Sequence, residues 1–213
     1  ITTRLVGSEM CIRDRNIMMN KVLCSLLLFL SISCGLQGRN ANYARDSKRI
    51  WLDSKEIHHG EYVWKMKKAG DVISSAEKVS TLGYDTSDWL SAIVPGTVLN
   101  SLVYNKEYPE PYYGVNNKLE SGKIPDISKV GREFYTYWFR TEFDVPESFA
   151  GKTIWLQPDG VNYRAEIWVN GNLLSTLNGM FISDYINVTD FVKVGRKNIL
   201  AVKVLSLIHI SEP

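Results

Sequence analysis

Cysteine is confined to Cys11, Cys24 and Cys34, all within the first 34 of 213 residues. Residues 35–213 therefore offer no disulfide and no thiolate metal site, and a domain built there must hold together by its hydrophobic core alone. Histidine is as scarce, occurring as the adjacent pair His58-His59 and as His209. Neighbours on an extended strand point to opposite faces, which argues against the pair as a joint metal grip, so no metal and no other cofactor is expected. An excess of either charge is also lacking, since 25 Lys and Arg stand against 23 Asp and Glu, interspersed, for a net charge of +2. Such a balance supplies no basic stripe for nucleic acid. Long apolar runs are absent apart from residues 22–32 (VLCSLLLFLSI). These eleven residues fall well short of the roughly 20 that a membrane-crossing helix needs.

What that run does provide is an export signal. Met18 or Met19 opens it, Asn20-Lys21 supplies the positive start, and residues 18–34 read as a secretory segment. Leu30-Ser-Ile-Ser-Cys34-Gly35 resembles a lipobox, in which Cys34 receives a lipid after cleavage, although Ser31 occupies a position where leucine is usual. The alternative is a plain cleaved signal. The expectation is a secreted protein, periplasmic or on the cell surface as a lipoprotein if Cys34 is lipidated, with the membrane met only through that anchor. Residues 35–49, rich in Gly, Asn, Arg, Ser and Lys, read as a flexible tether. Residues 1–17 and 205–213 carry no usable periodicity, resemble sequencing-adapter read-through, and are set aside from fold reasoning. A single domain is expected over residues 50–204, with no internal repeat.

Within it the apolar pattern has the period of strands. Tyr137, Phe139, Thr141, Phe143 and Val145 alternate with Trp138, Arg140, Glu142 and Asp144, which predicts one face on a core and one in water. Residues 151–156, 165–169, 186–188 and 199–204 read as further strands. Asn170-Gly171 between Ile167-Trp168-Val169 and Leu173-Leu174 predicts a two-residue hairpin turn with both residues at positive φ. One short helix is expected from Val98 to about Asn105, capped by Thr97. Short strands divided by turns indicate an all-β sandwich.

Three segments carry a resemblance. The first is 89–98 (WLSAIVPGTV) continuing through 108–117 (YPEPYYGVNN). The second is 132–143 (REFYTYWFRTEF). The third is 159–171 (DGVNYRAEIWVNG) followed by 178–181 (NGMF) and 186–190 (INVTD). In this order they resemble the N-terminal sugar-binding domain of glycoside hydrolase family 2. The resemblance implies a galactose-binding-like jelly-roll β-sandwich, preceded here by the signal segment. Where the galactosidase branch usually has a histidine, two glycines and an aromatic, this chain has Leu177-Asn-Gly-Met-Phe181. Together with the 109–114 run (PEPYYG), that departure is more similar to the β-mannosidase, endo-β-mannosidase and exo-β-glucosaminidase branch. A β-galactosidase of the same family is the runner-up, and a free-standing carbohydrate-binding surface lipoprotein is the alternative from another class.

The resemblance further implies two partners in the same chain, an immunoglobulin-like domain and a TIM barrel carrying two catalytic glutamates, neither of which lies in these residues. Retaining hydrolysis needs such a pair roughly 5 to 5.5 Å apart. Glu110, Glu133, Glu142 and Glu166 read as loop or solvated strand positions, so no catalytic residue is assigned. The resemblance assigns residues 108–117 to a loop that helps form the terminal-sugar subsite for the carbohydrate substrate. Tyr112 and Tyr113 offer rings for stacking on a pyranose, and Asn116 and Asn117 offer donors and acceptors for its hydroxyls. The competing reading packs both tyrosines on the sandwich, with Pro109, Pro111 and Gly114 merely shaping the loop. Asn162, Tyr163 and Arg164 read as structural flanks of the hairpin strand. Asn187-Val-Thr189 is a formal glycosylation triplet, relevant in a eukaryotic host.

Overall fold

The computed structural model describes residues 2–3, 49–56, 60–116, 118–125, 130, 132–179 and 182–205. The sequence readings placed on Cys34, His58-His59, Asn117, Met180-Phe181 and His209 lie outside the described residues.

The strands are β1 (Thr2–Thr3), β2 (Trp64–Lys68), β3 (Leu90–Ser91), β4 (Thr136–Asp144), β5 (Trp155–Pro158), β6 (Arg164–Val169), β7 (Asn172–Asn178), β8 (Ile186–Asn187) and β9 (Lys197–Leu205). Six of them form one sheet in the order β3-β2-β4-β9-β6-β7, and β1-β5-β8 form a second. Every pair in the large sheet is antiparallel. Ile154, Leu156, Val161, Ile186 and Val188 from the small-sheet side share one core with Trp64, Met66, Phe139, Phe143, Ile167, Leu200 and Val202 from the large sheet. Two sheets closed over a common apolar core make the expected sandwich. The outer edge of β5 accepts Thr2–Thr3 in parallel, in the stretch that the sequence reading sets aside. An edge strand presents unpaired N–H and C=O groups that any extended segment can satisfy.

The hairpin forms as its turn chemistry dictates. Trp168 pairs with Leu173 and Val169 with Asn172, leaving Asn170 at φ 49° and Gly171 at φ 89° as the turn. A side chain on Gly171 would be strained at that φ although its Cβ would meet Thr81 at an ordinary 3.4 Å, and the Gly171 N–H donates to Ser80 O. The Asn170 amide donates to Phe191 O and Asn198 Oδ1, and its Oδ1 accepts from Ile199 N–H. The turn residue thus also fastens β9 and the segment before it.

The helix α2 spans Val98–Tyr104, and Thr97 Oγ1 accepts from Asn100 N–H at 2.9 Å. A second helix, α1 (Ala76–Val79), is capped by Ser75 and was not expected from the sequence. Its presence corrects the reading of β4. Tyr137, Phe139, Phe143 and Val145 do enter the main core, yet Trp138 and Arg140 on the other face are each only 4% exposed. Trp138 joins Trp89, Trp168, Val79 and Ala201 in a second cluster roofed by the α1 segment. Arg140 donates from Nε to Val79 O at 3.1 Å and from a terminal nitrogen to Thr81 O at 3.0 Å. The carbonyls of Ala76, Glu77 and Lys78 accept from Ser80 or Thr81, and the buried guanidinium supplies donors to the next ones at this C-terminal end. Only the far end of β4 reaches water, with Asp144 exposed and Glu142 half-buried.

Candidate functional site

Strand register collects the loops of interest at one end of the sandwich. Tyr137 pairs with both Lys68 and Val204, Arg164 with both Asn178 and Leu205. The segments entering or leaving at these residues are 69–75, 132–135, 159–163 and 179–185. Residues 106–125 join them, because Tyr108 packs against the main core and the Tyr135 hydroxyl donates to Pro125 O at 3.2 Å.

At this end Tyr112 and Tyr113 stand 77% exposed. The packing alternative for the two rings is therefore not realised; they face outward on a loop that is itself internally fixed. Tyr113 N–H donates to Glu110 O and Asn116 N–H to Tyr113 O, two successive turns. Asn116 is only 6% exposed and is the centre of the loop. Its Nδ2 donates to Glu110 O at 2.8 Å, its Oδ1 accepts from Lys123 Nζ at 2.9 Å, and its carbonyl accepts from Ser121 Oγ at 3.1 Å. Both polar ends of the side chain are thus already engaged within the protein. Of the residues read as sugar contacts, the structure leaves Tyr112 and Tyr113 outward-facing and turns Asn116 inward.

Asn162 is buried with no hydrogen-bond partner on its Oδ1 among the described residues, Tyr163 is partly exposed and donates its N–H to Leu205 O, and Arg164 is exposed at the start of β6. Among the acids, Glu110 is exposed, Glu166 half-buried, and Glu142 lies 3.5 Å from Arg140 and 3.6 Å from Lys197. No group of three or more His, Cys, Asp or Glu suited to a metal ion occurs among the described residues. Burial lowers the Arg140 pKa, an effect that Glu142 opposes. Burial raises the Tyr108 hydroxyl, helped by Glu107, and pushes Tyr137 up to about 12. Sequence reasoning counted Tyr137 only as a core position. It lines a cleft together with residues of β2, β3, α2 and the 107–108 loop, a juxtaposition that no local pattern encodes.

The family described as "Glycosyl hydrolase 2 galactose-binding domain-like" matches residues 64–213. A mannosylglycoprotein endo-beta-mannosidase of Lilium longiflorum is 40% identical over 119 residues, covering 56% of this chain and 12% of the relative. An exo-beta-D-glucosaminidase of Amycolatopsis orientalis is 28% identical over 126 residues, 58% of this chain and 11% of the relative. Among solved structures, the exo-chitosanase CsxA of Amycolatopsis orientalis superposes with a TM-score of 0.56 at 26% identity, covering 67% of this chain and 16% of that one. The chain thus spans about an eighth of the length of the curated relatives it matches.

Proposed function

The chain belongs to the glycosyl hydrolase 2 galactose-binding domain-like family, and from that premise we propose that it is the non-catalytic N-terminal domain of a secreted retaining glycosidase acting on β-mannosides or β-glucosaminides. The observation that carries this reading is the 40% identity to an endo-beta-mannosidase of which the chain spans 12%. The hydrolytic pair of carboxylates belongs in this reading to a barrel elsewhere in the same longer protein. One of them attacks the anomeric carbon while the other, protonated, donates to the leaving oxygen. The domain's contribution is the 108–116 loop: Asn116 fixes its shape, and Tyr112 and Tyr113 supply rings for the terminal sugar.

Reading the transcript or genomic locus past the codon for Val204 tests the proposal. Several hundred further codons with alternating strands and helices support it; a stop codon in their place overturns it in favour of a free-standing binding protein. In the full-length enzyme, Tyr112→Ala and Tyr113→Ala should lower kcat/KM at unchanged melting temperature, since exposed rings contribute little to folding. Unaltered kinetics in both variants would remove the loop from the sugar site. Export and lipidation belong to the same reading, supported by Lys21, the apolar run after it and the lipobox-like sequence around Cys34. Radiolabelled fatty acid should enter the mature protein in a bacterial host and be lost in Cys34→Ser. Labelling that persists in this variant refutes the anchor.

A further inference from the structure

We propose that the cleft beneath Tyr108 is a binding site for a single neutral or amino-substituted pyranose ring, separate from Tyr112 and Tyr113 and requiring no catalytic barrel. It holds about 280 Å³, just below the roughly 300–1,000 Å³ typical of small-molecule clefts, which suits one sugar ring rather than a chain. Its apolar lining comes from Met66 of β2, Leu90 of β3, Leu102 of α2 and Tyr137 of β4. Sugars present patches of C–H on one side and hydroxyls around the rim, so a site for them needs an apolar or aromatic floor ringed by hydrogen-bonding groups.

The rim supplies those groups, and several are uncommitted. Tyr137 is 7% exposed and lines the cleft, and its hydroxyl lies within electrostatic reach of Tyr108, Asp71 and Glu107, which line it too. Neither that hydroxyl nor the one on Tyr108 makes a hydrogen bond among the described residues. Tyrosine hydroxyls are protonated at physiological pH, and burial shifts both of these further from ionisation, so both serve as neutral donors and acceptors. The carboxylates of Asp71 and Glu107 also line the cleft and make no hydrogen bond or ion pair among the described residues. Adjacent sugar hydroxyls are natural donors to such oxygens.

Charge narrows the ligand. Lys67 and Asp88 neutralise one another across the margin, and Lys68 Nζ is held 4.2 Å over the Phe134 ring. Lys68 keeps its charge there, so Lys67 and Lys68 stand against Asp71, Asp88 and Glu107 and the lining is weakly acidic, which disfavours phosphorylated and carboxylated sugars and admits a neutral or amino-bearing ring.

The test is calorimetric titration of the whole chain with methyl β-D-glucosaminide, methyl β-D-mannoside and methyl β-D-glucuronide. Saturable binding in the millimolar range is expected for one or both of the first two, with the glucuronide at least about tenfold weaker. Tyr137→Phe, which removes one oxygen and keeps the ring, and Glu107→Gln should each weaken binding about 5- to 20-fold with the melting temperature held, as expected for a lost sugar hydrogen bond. Absence of saturation up to about 50 mM overturns the site, a concentration well beyond useful millimolar affinity. So does affinity that survives both substitutions, or that falls only in Tyr112→Ala, which would put the sugar on the loop. The outcome is independent of the proposed glycosidase: a locus without a barrel would refute that reading and leave the cleft untouched.

Discussion

Two loop asparagines show how much of this molecule rests on side chains that bond to backbone. Asn116→Ala removes the donor to Glu110 O and the acceptor for Lys123 Nζ. A loss of about 1–2 kcal/mol is expected, a drop of several degrees in melting temperature for a domain of this size. Thermal denaturation checks it, and an unchanged transition would show that the loop does not depend on this residue. Asn170→Ala should cost more, about 2–3 kcal/mol, because it loses three hydrogen bonds as well as tolerance for positive φ; Asn170→Gly should recover the turn but not the bonds. Equal destabilisation by the two substitutions would remove backbone conformation from the explanation. Tyr137 provides a pH signature. An unfolded tyrosine loses its proton near pH 10, whereas burial holds this one up to about 12. Its contribution is whole below pH 10 and is lost as pH rises towards 12, because the unfolded chain then binds fewer protons. The melting temperature of the wild type should therefore fall relative to Tyr137→Phe across that window, and parallel curves would contradict the assignment. At this scale the sequence discloses residue types suited to loops and turns. It does not disclose that Asn116 turns inward to Lys123, since contacts inside an irregular loop follow no period.

Among the elements, the hairpin was legible because Asn-Gly has few conformations that suit two right-twisted strands, and α2 was legible from its threonine cap. The dry second face of β4 was not. Alternation of apolar and polar residues places Arg140 in water, and what overrides it is α1, four residues long and too short to show a helical period. Trp138, Trp89 and Trp168, each read from its own segment, gave no local sign of forming one cluster. Arg140→Met should therefore destabilise by about 2–3 kcal/mol even though it replaces a charge by an apolar chain, because Val79 O and Thr81 O lose their donors. Hydrogen exchange should rise first at Val79, Ser80 and Thr81, as the roof loosens before the sheet opens. A variant as stable as the wild type, with protected amides there, would show the roof held by the tryptophans alone.

At the scale of the whole molecule, the proposed division of labour gives a simple expectation: the 213-residue chain turns over no aryl β-mannoside, β-glucosaminide or β-galactoside, since the paired glutamates of the retaining mechanism lie elsewhere in that reading. Measurable hydrolysis by the purified chain would overturn it. The sandwich class was readable from strand period and turns, and family resemblance supplied the jelly roll; the order of strands in the large sheet was not readable, because pairing between distant segments leaves no local trace. That order has a consequence for biosynthesis. β9 lies between β4 and β6 and joins β3-β2-β4 to β6-β7, yet residues 145–196 separate it from β4. A ribosome adding roughly 5–20 residues per second needs about 3–10 s to cover that interval, during which the inner edge of β4, joined partway through by that of β6, is made and unpaired. The nascent chain is thus a substrate for holding chaperones until one late segment arrives, and a truncation between Asn178 and Lys197 leaves two sticky half-sheets instead of a smaller domain.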